Sequence, residues 1–416
     1  MVAISGDRLW SRIEVLSRFT DPASPWTRRS FDAQFFRGRS WLEQEFQSAG
    51  LTVSVDAGGN LVGRLPGSHS GAAALVSGSH SDTVPSGGRF DGALGLLAAL
   101  EAAQSMREQG ISLSHPMEVV DFLAEEPGEF GLSCIGSRAW AGVLSASDLA
   151  RQLPSDLTLA AAIESAGGIA KQLGAPLRTP DSIAAYVELH IEQGLVLGAR
   201  RAEVGVVTAI VGIRRYEVNV EGRADHAGTT PMALRRDALV GAAGFLRDVD
   251  ELARSRPEGG PYLVATVGKL SVSPNAINAV PGLVSMILEI RSTDGEAMTQ
   301  FEGALWKRVE PDFEARGLHL SVSLLSQTLP TACSTVIQDT IEEAAARAGI
   351  LSTRLPSGAG HDAVFVAHLA PVGMIFVPCK EGRSHVPEEW AEPADCAKGA
   401  QVLAETLLLL DRTLPM

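Results

Sequence analysis

The pattern of apolar and polar positions divides the chain into short apolar strands and amphipathic helices. Near the N-terminus, Leu9, Ile13 and Leu16 recur at the spacing of one helical face. Residues 41–50 have the pattern of a second helix, and residues 51–65 that of two short strands joined at the turn AGGN. The beginning of the chain therefore predicts an α/β fold.

Three further apolar runs predict buried strands, and each run ends on side chains that can do chemistry. The runs cover residues 72–80, 117–126 and 183–194, and a helix is predicted over about 93–108. In open α/β sheets, ligands bind at the carboxyl ends of the strands. We therefore expect the side chains at the ends of these three runs to form one site.

After about residue 211 the pattern changes to strand, helix, strand, strand, helix, strand, which is the split, ferredoxin-like order. The α/β pattern returns at about residue 333. The predicted fold class is therefore α/β with two domains. An α/β/α domain with a mixed sheet is formed by residues 1–211 and 329–416, and an α+β domain of residues 212–328 is inserted into it.

Composition narrows the class of protein. The chain has 416 residues, of which 45% are hydrophobic and 20% charged, as in ordinary globular proteins. With 35 basic and 49 acidic residues its formal net charge is −14, which argues against nucleic acid and anionic membranes as partners. Neither an apolar run of membrane-spanning length nor a signal-peptide pattern is present. We expect a cytoplasmic protein whose four cysteines are reduced.

Chemically active residues cluster in the stretch GSHSDTVPSGGRFDGALG (78–95) and at the ends of the later strands. Any one of them is more often an ordinary loop residue than a ligand. Five are side chains of the kind that hold divalent metal ions: His80, Asp91, Glu126, His190 and His385. Five ligands that share one carboxylate suit two ions about 3.5–4 Å apart. Glu125, next to a ligand, is the natural general base.

With these residues in view, the sequence resembles the M20 metallopeptidase/amidohydrolase family, and within it the hydantoinase/carbamoylase branch. The resemblance covers nearly the whole chain. It is carried by the stretch 78–95 and by AEEPGEFG, GSRAW, ELHIEQG, GRADHAGTTPM, PNAINAVPG, EIR, SGAGHDA and SHVPEEW. The branch contains N-carbamoyl-L-amino acid hydrolases, β-ureidopropionases, allantoate amidohydrolases and ureidoglycolate amidohydrolases.

The resemblance implies a role for each residue of the metal site. His80, Asp91 and His190 would hold one ion, and Asp91, Glu126 and His385 the other. Asp82 would orient His80 from behind. Glu125 would act first as general base and then as the acid that protonates the leaving nitrogen. Zn²⁺ fits this donor set, and Mn²⁺, Co²⁺ or Ni²⁺ would also bind it.

The resemblance also implies a set of residues that bind the substrate, most of them in the inserted domain. Arg291 would pair with a substrate carboxylate, and Asn278 and Gln193 would supply hydrogen bonds. His226 would stabilise the oxyanion, in the family from the partner subunit of a homodimer. Gly360 would bring backbone close to the substrate, whereas His361 is either a substrate contact or a structural residue. An inserted domain of this kind implies a lid that opens and closes.

The expected reaction is cleavage of the ureido C–N bond of an N-carbamoyl-L-amino acid to the amino acid, ammonia and carbon dioxide. Allantoate or ureidoglycolate is the alternative small-molecule substrate. An M20 dipeptidase or aminoacylase is less favoured, because His190 followed by Gln193 is typical of the ureido branch. A binding protein without activity would have lost a ligand or the base, and all are present. The chain departs from the common branch pattern at Pro127 and Glu129, where an acid replaces an arginine.

Overall fold

The computed structural model describes residues 1–69, 71–257 and 259–415. By its internal contacts the chain divides into two compact units. Unit 1 consists of Met1–Thr208 and Cys333–Met416, and unit 2 is Ala209–Ala332. The inserted domain expected over 212–328 falls inside unit 2. No helix in the described part of the chain has both the length and the apolar character needed to cross a membrane.

The α-helices of the described chain are the following, in order: α1 Gly6–Ser17, α2 Ala33–Ser48, α3 Ala93–Glu108, α4 Ile135–Ala141, α5 Ala146–Leu149, α6 Leu159–Ser165, α7 Val196–Arg200, α8 Ala238–Arg254, α9 Gly295–Ala315, α10 Thr335–Arg347, α11 Ala363–Val366 and α12 Pro393–Thr413. The helix expected over about 93–108 is confirmed, whereas the one expected over 41–50 begins earlier, at Ala33, and ends at Ser48. The long helix α12 was not predicted from the sequence.

The strands are the following, in order: β1 Thr52–Val55, β2 Leu61–Leu65, β3 Ala74–His80, β4 Met117–Phe122, β5 Ile183–Ile191, β6 Val204–Ile210, β7 Gly212–Glu221, β8 Asp225–His226, β9 Leu263–Ser273, β10 Ala279–Val280, β11 Leu283–Ser292, β12 His319–Thr328, β13 Thr331–Ala332, β14 Ser352–Ser357 and β15 Val372–Val377. The three apolar runs are confirmed as β3, β4 and β5. The last two strands are shorter than expected, because β4 ends at Phe122 and β5 at Ile191.

The strands of unit 1 form a mixed sheet in the order β1, β2, β4, β3, β5, β15, β6, with β14 beside β6. Strand β3 is parallel to β4 and β5, and β15 is parallel to β5, whereas β2 is antiparallel to β4. The mixed sheet predicted from the sequence is therefore confirmed. Strands β3 and β4 are buried at every position. Because strands covered on both faces need apolar side chains on each face, their sequences are continuous apolar runs.

Helix α3 lies in the centre of the unit 1 core, where it packs against β3, α1 and α12. Leu94, Leu97 and Leu100 are fully buried, as the predicted apolar side of the helix requires. The opposite side is buried too, because Leu96, Ala99 and Ala103 also lie in the core. A helix enclosed by other elements is apolar all round rather than amphipathic.

Unit 2 contains a four-stranded antiparallel sheet in the order β12, β7, β11, β9. Helices α8 and α9 pack together and bury their apolar sides against it, with Phe245, Phe301 and Leu305 in the core. The predicted ferredoxin-like sequence of elements is confirmed. A two-stranded sheet is added by β8 and β10, which pair at His226 and Ala279.

Candidate metal centre

The candidate metal site lies where the parallel strands of unit 1 end. His80 is the last residue of β3 and pairs with Phe122, the last residue of β4. His190 is the residue before the end of β5. Because parallel strands present their carboxyl ends at one edge of the sheet, the side chains at and just beyond these ends meet. Glu125 and Glu126 were expected at the end of the strand over 117–126. In the structure they lie in the loop that follows β4.

A first group of possible ligands is formed by His80, Asp91 and His190, all of them buried. Asp91 Oδ1 is 3.0 Å from His190 Nε2 and 3.7 Å from His80 Nε2. One donor atom from each residue lies within 4.8 Å of the other two. This spacing allows three side chains to converge on one cation.

A second group is formed by Asp91, Glu126 and His385. His385 Nε2 is 2.9 Å from Asp91 Oδ2 and 3.3 Å from Glu126 Oε1. Asp91 therefore belongs to both groups and turns one oxygen toward each. The hydrogen bonds to the carboxylates of Asp91 and Glu126 raise the pKa of His385 to about 11. In the absence of a cation this imidazole is protonated, so that metal binding would release its proton.

The two buried imidazoles are held in the tautomer that metal binding requires. His80 Nδ1 is 2.9 Å from the main-chain oxygen of Asp82, and His190 Nδ1 is 2.9 Å from the main-chain oxygen of Ile191. A carbonyl oxygen only accepts hydrogen bonds, so each Nδ1 carries the proton. Each Nε2 is then the ring nitrogen left for a cation, and it faces Asp91. This donor chemistry fits a divalent cation such as Zn²⁺.

Asp82 contacts the site through both its main chain and its carboxylate. The hydrogen-bond partner of His80 is the main-chain carbonyl of Asp82, whereas its carboxylate lies 3.6 Å from His80 Nδ1. The carboxylate accepts hydrogen bonds from the backbone N–H groups of Glu125 and Glu126, each at 3.2 Å. Strand β3 ends at His80, so Asp82 lies beyond the strand and the two residues do not share a strand face.

Glu125 is buried beside both ligand groups without belonging to either. Its Oε2 is 3.6 Å from His80 Nε2, and the Sγ of Cys134 lies 3.4 Å from its Oε1. Burial raises the pKa of Glu125 well above its usual value, and the positive charge of His80 opposes that rise. A carboxyl group whose pKa is raised in this way is suited to taking up and returning a proton near neutral pH.

Gln193 and His361 lie in unit 1 close to the ligands, as expected. Gln193 Nε2 donates to Asp91 Oδ2 at 2.8 Å. The buried ring of His361 packs edge-on against His190, with ring centres 4.6 Å apart, and its Nε2 is 2.9 Å from the hydroxyl of Ser357. A Cβ placed on the exposed Gly360 would meet only open space.

Glu188, His190 and His361 make a third close set of donor atoms. The carboxylate of Glu188 already accepts hydrogen bonds from Ser79 at 2.8 Å and from Tyr186 at 3.0 Å. His190 turns its Nε2 to Asp91. The donors of this set are therefore engaged elsewhere, and it fits a cation less well than the two groups that share Asp91.

The remaining predicted residues lie in unit 2, and His226 is held there in one tautomer. Its Nδ1 accepts hydrogen bonds from the backbone N–H groups of Gly228 at 3.0 Å and Thr229 at 3.2 Å. In the neutral ring Nε2 therefore carries the proton and is a donor. The main-chain oxygen of Asn278 accepts a hydrogen bond from the backbone N–H of Ala227 at 2.9 Å, which keeps Asn278 near His226.

Arg291 lies in β11 and its Nε donates to Glu289 Oε1 at 2.7 Å. The other oxygen of Glu289 accepts from Arg215 Nε at 2.6 Å. One carboxylate therefore orients two guanidinium groups on neighbouring strands. An arginine whose Nε is held in this way has its planar fork fixed in direction, as bidentate recognition of a carboxylate requires.

Two residues that support the site were missed from the sequence. Ser384 and Glu389 flank His385 in the segment SHVPEEW, and Glu389 is buried beside Asp91. The sequence of this segment shows polar residues on each side of the histidine, but it does not show that they contact the other ligands. Glu129, at the position where an acid replaces an arginine, is largely exposed and lies 3.6 Å from Arg29.

Two groups of possible ligands that share a carboxylate, with a separate buried glutamate beside them, are typical of metal-dependent hydrolases. The sequence matches the model of peptidase family M20/M25/M40 over residues 76–409. The chain belongs to this family.

Relatives of known description are similar over nearly their full length. An N-carbamoyl-L-amino acid amidohydrolase of Geobacillus stearothermophilus is 40% identical over 97% of this chain and 98% of its own. A ureidoglycolate hydrolase of Oryza sativa subsp. japonica is 34% identical over 96% of this chain and 84% of its own. The crystal structure of an amidase of the hydantoinase/carbamoylase family from Burkholderia multivorans has a TM-score of 0.91 at 35% identity, covering 98% of each chain.

Proposed function

We propose that this protein hydrolyses the ureido C–N bond of N-carbamoyl-L-amino acids, giving the amino acid, ammonia and carbon dioxide. The observation that carries the proposal is the pair of ligand groups joined by Asp91, with Glu125 beside them. It occurs in a chain that is 40% identical, over nearly its whole length, to an N-carbamoyl-L-amino acid amidohydrolase.

The proposed centre holds two divalent ions, one in each ligand group, with Asp91 shared between them. His80 and His190 would complete the first group, and Glu126 and His385 the second. Bound divalent ions would polarise the ureido carbonyl and make water a better nucleophile at neutral pH. Zn²⁺ suits this mixture of imidazole and carboxylate donors, as do Mn²⁺, Co²⁺ and Ni²⁺.

Glu125 moves the proton in the proposed reaction. Its carboxylate takes a proton from the attacking water and then returns it to the nitrogen that leaves. Burial raises the pKa of Glu125, so the group gains the proton more readily than an exposed glutamate does. The backbone N–H of Glu125 donates to Asp82, which holds the base in position.

The residues assigned to substrate binding are mostly polar side chains. Arg291 pairs with the substrate carboxylate, and Gln193 and Asn278 donate hydrogen bonds to it or to the ureido group. His226 donates its Nε2–H to the developing oxyanion, which agrees with a ring whose Nδ1 accepts two backbone N–H groups. Gly360 leaves room beside His361 for the substrate to approach the backbone.

The proposed active form is a homodimer in the cytoplasm, in which His226 serves the active site of the partner. Mixing two inactive variants tests this arrangement. In a mixed dimer of Glu125→Gln and His226→Ala chains, one of the two sites would receive both intact residues. Mixing after partial unfolding and refolding should therefore restore activity. If mixed dimers are shown to be present but no activity is recovered, His226 does not serve the active site of the partner.

Substrate choice is tested by ammonia release from the metal-loaded protein. N-carbamoyl-L-methionine, allantoate, ureidoglycolate and a dipeptide are compared side by side, the dipeptide by release of amino acid. We expect turnover of the carbamoyl amino acid. Turnover of ureidoglycolate or allantoate instead would reassign the substrate within the same chemistry, and the rice relative makes ureidoglycolate the first alternative. Cleavage of the dipeptide alone would refute the proposal.

A further inference from the structure

Glu389 connects the two chain segments that meet at the second ligand group. Its carboxylate is almost completely buried, with 1% of the residue exposed. Oε1 accepts hydrogen bonds from the backbone N–H groups of Phe90 at 2.8 Å and Asp91 at 3.1 Å. Oε2 accepts the hydroxyl proton of Ser384 at 2.6 Å. One carboxylate thus holds the backbone that carries Asp91 and the residue that precedes His385.

Ser384 extends this connection to the ligand atoms themselves. Its Oγ lies 3.2 Å from Asp91 Oδ2, the oxygen that faces His385. It also accepts a hydrogen bond from Gln193 Nε2 at 3.2 Å. A hydroxyl has one proton, and the shorter contact assigns it to Glu389. With that proton directed to Glu389, the hydroxyl of Ser384 does not donate to Asp91 Oδ2, whose other neighbours are Gln193 Nε2 at 2.8 Å and His385 Nε2 at 2.9 Å.

The backbone around Glu389 is shaped to admit its side chain. Gly88 has φ +106, and a Cβ at this position would lie 2.3 Å from the carboxyl carbon of Glu389. Phe90 and Trp390 pack edge to face, with ring centres 5.7 Å apart. Phe90 donates one of the hydrogen bonds to Glu389, and Trp390 is the residue after Glu389, so this contact holds the two segments together. The glycine leaves room for the Glu389 side chain, and three hydrogen-bond donors converge on its carboxylate.

Glu389 is not itself a ligand. It belongs to neither ligand group, and both of its oxygens accept hydrogen bonds. Its contacts instead fix ligands, since Asp91 Oδ2 and His385 Nε2 are 2.9 Å apart across the segments that it joins. Partners of this kind set the orientation of metal ligands, and their loss commonly costs about 10–100-fold in metal affinity.

We propose that Glu389 is a positioning residue for the second ligand group, acting through Asp91 and Ser384 to hold His385 and Asp91 at the spacing that one ion requires. This inference rests on the proposed two-ion centre. It does not depend on which ureido compound is the substrate.

The test measures metal binding rather than turnover. The full-length chain is stripped with a chelator and titrated with Co²⁺, followed by absorption and by metal analysis. His385→Ala marks the loss of the second group and His190→Ala the loss of the first. We expect Glu389→Ala to weaken one of the two binding steps by about 10–100-fold and to resemble His385→Ala in its spectrum.

Three further variants separate positioning from general stabilisation. Glu389→Gln keeps an oxygen for the two backbone N–H groups and an amide that can donate to Ser384, so it should bind both ions nearly as the parent does. Ser384→Ala should weaken the same step to a lesser degree, and it serves if Glu389→Ala does not fold. Glu405→Ala is the matched control, because Glu405 is another buried glutamate, and it accepts a hydrogen bond from the backbone of Val2.

Two outcomes would overturn the inference: unchanged binding of both ions by Glu389→Ala, or an equal loss of metal in Glu405→Ala. Failure of the proposed reaction is recognised separately. If the parent releases no ammonia from any ureido compound but Glu389→Ala loses one ion, the function is wrong and the positioning role stands. If the parent releases ammonia and all variants bind metal alike, the proposed function stands and the positioning role of Glu389 is wrong.

Discussion

His80 Nδ1 donates a hydrogen bond to the main-chain carbonyl of Asp82, 2.9 Å away. The bond leaves Nε2 as the ring nitrogen that points into the site, and the same is true of His190 through Ile191. A main-chain oxygen only accepts hydrogen bonds, so Nδ1 of each ring keeps its proton and Nε2 is the atom that can bind a cation. The site is thus prepared for a cation by the backbone itself.

Replacing Glu125 by Gln should reduce kcat strongly without emptying the metal site. The amide cannot take up a proton, and general base catalysis is worth about 10²–10⁴-fold. Metal content should stay at the parent level, because Glu125 is in neither ligand group. Steady-state kinetics and metal analysis of the same sample provide the measurement.

Glu129→Gln is the matched control for that variant, since Glu129 is a nearby glutamate that is largely exposed. It should leave kcat within about twofold, as surface changes have small effects. A Glu125→Gln protein with parental kcat would remove Glu125 from the mechanism.

Removing the metal should lower thermal stability. Without cations the buried carboxylates of Asp91, Glu125 and Glu126 face one another with only imidazoles between them. A ligand present at a hundred times its Kd stabilises the folded state by about 2.7 kcal/mol. Calorimetry with and without a chelator should therefore show a fall in Tm that added Zn²⁺ or Mn²⁺ reverses. An unchanged Tm, with metal loss verified, would argue against a resident cation.

Replacing Arg291 by Lys should raise KM and leave metal binding intact. An ammonium cannot form the two parallel hydrogen bonds that a guanidinium makes to a carboxylate, and hydrogen bonds to charged groups are worth about 1.5–3 kcal/mol. That range corresponds to a rise in KM of about tenfold or more.

Arg215→Lys is the control for Arg291→Lys, because both arginines donate Nε to Glu289. We expect it to change KM much less. Metal analysis of both variants completes the experiment. Loss of metal from Arg291→Lys, or an equal rise of KM in Arg215→Lys, would show that the carboxylate clamp is assigned to the wrong residue.

Glu289 should make unit 2 more stable at neutral than at acid pH. Burial tends to raise its pKa, but the charges of Arg291 and Arg215 outweigh burial and lower it. Because the folded pKa lies below the unfolded value of about 4.3, the stabilisation is present above that pH and is lost as the pH falls through the folded pKa. The side chain is partly exposed, so its contribution is about 1 kcal/mol or less.

Urea unfolding of the metal-free parent and of Glu289→Gln, between pH 7 and pH 3.5, measures this effect. The free energy of unfolding of the variant should be lower at pH 7, and the difference should shrink toward the acid end. Working without metal prevents acid release of the cation from affecting the comparison. A difference that grows as the pH falls would have the wrong sign for an ion pair.

The fold was largely predictable because strands buried on both faces, such as β3 and β4, are unbroken apolar runs bounded by polar segments. The split order of unit 2 was visible for the same reason, since strand and helix have different periods. Helix α12 and strands β6 and β14 were not identified. Strand β14 is half exposed and contains Pro356, so its pattern resembles a loop.

The sequence by itself determined which residues could bind a metal and in what order they follow the strands. Spacing within a segment, as between Glu125 and Glu126, or a recognisable stretch such as 78–95, is a property of neighbouring residues. The grouping of ligands around Asp91 agrees with what the family resemblance implies, and the structure brings those side chains together.

Only the tertiary structure decided which atoms support those ligands. The partner of His80 is a main-chain oxygen, which every residue possesses and which no sequence pattern marks. Glu389 reaches the backbone of Asp91 across 298 positions of the chain, and Glu289 joins two arginines on different strands. Contacts between residues far apart in sequence depend on how the strands pair and the loops turn, and chain order alone does not specify either.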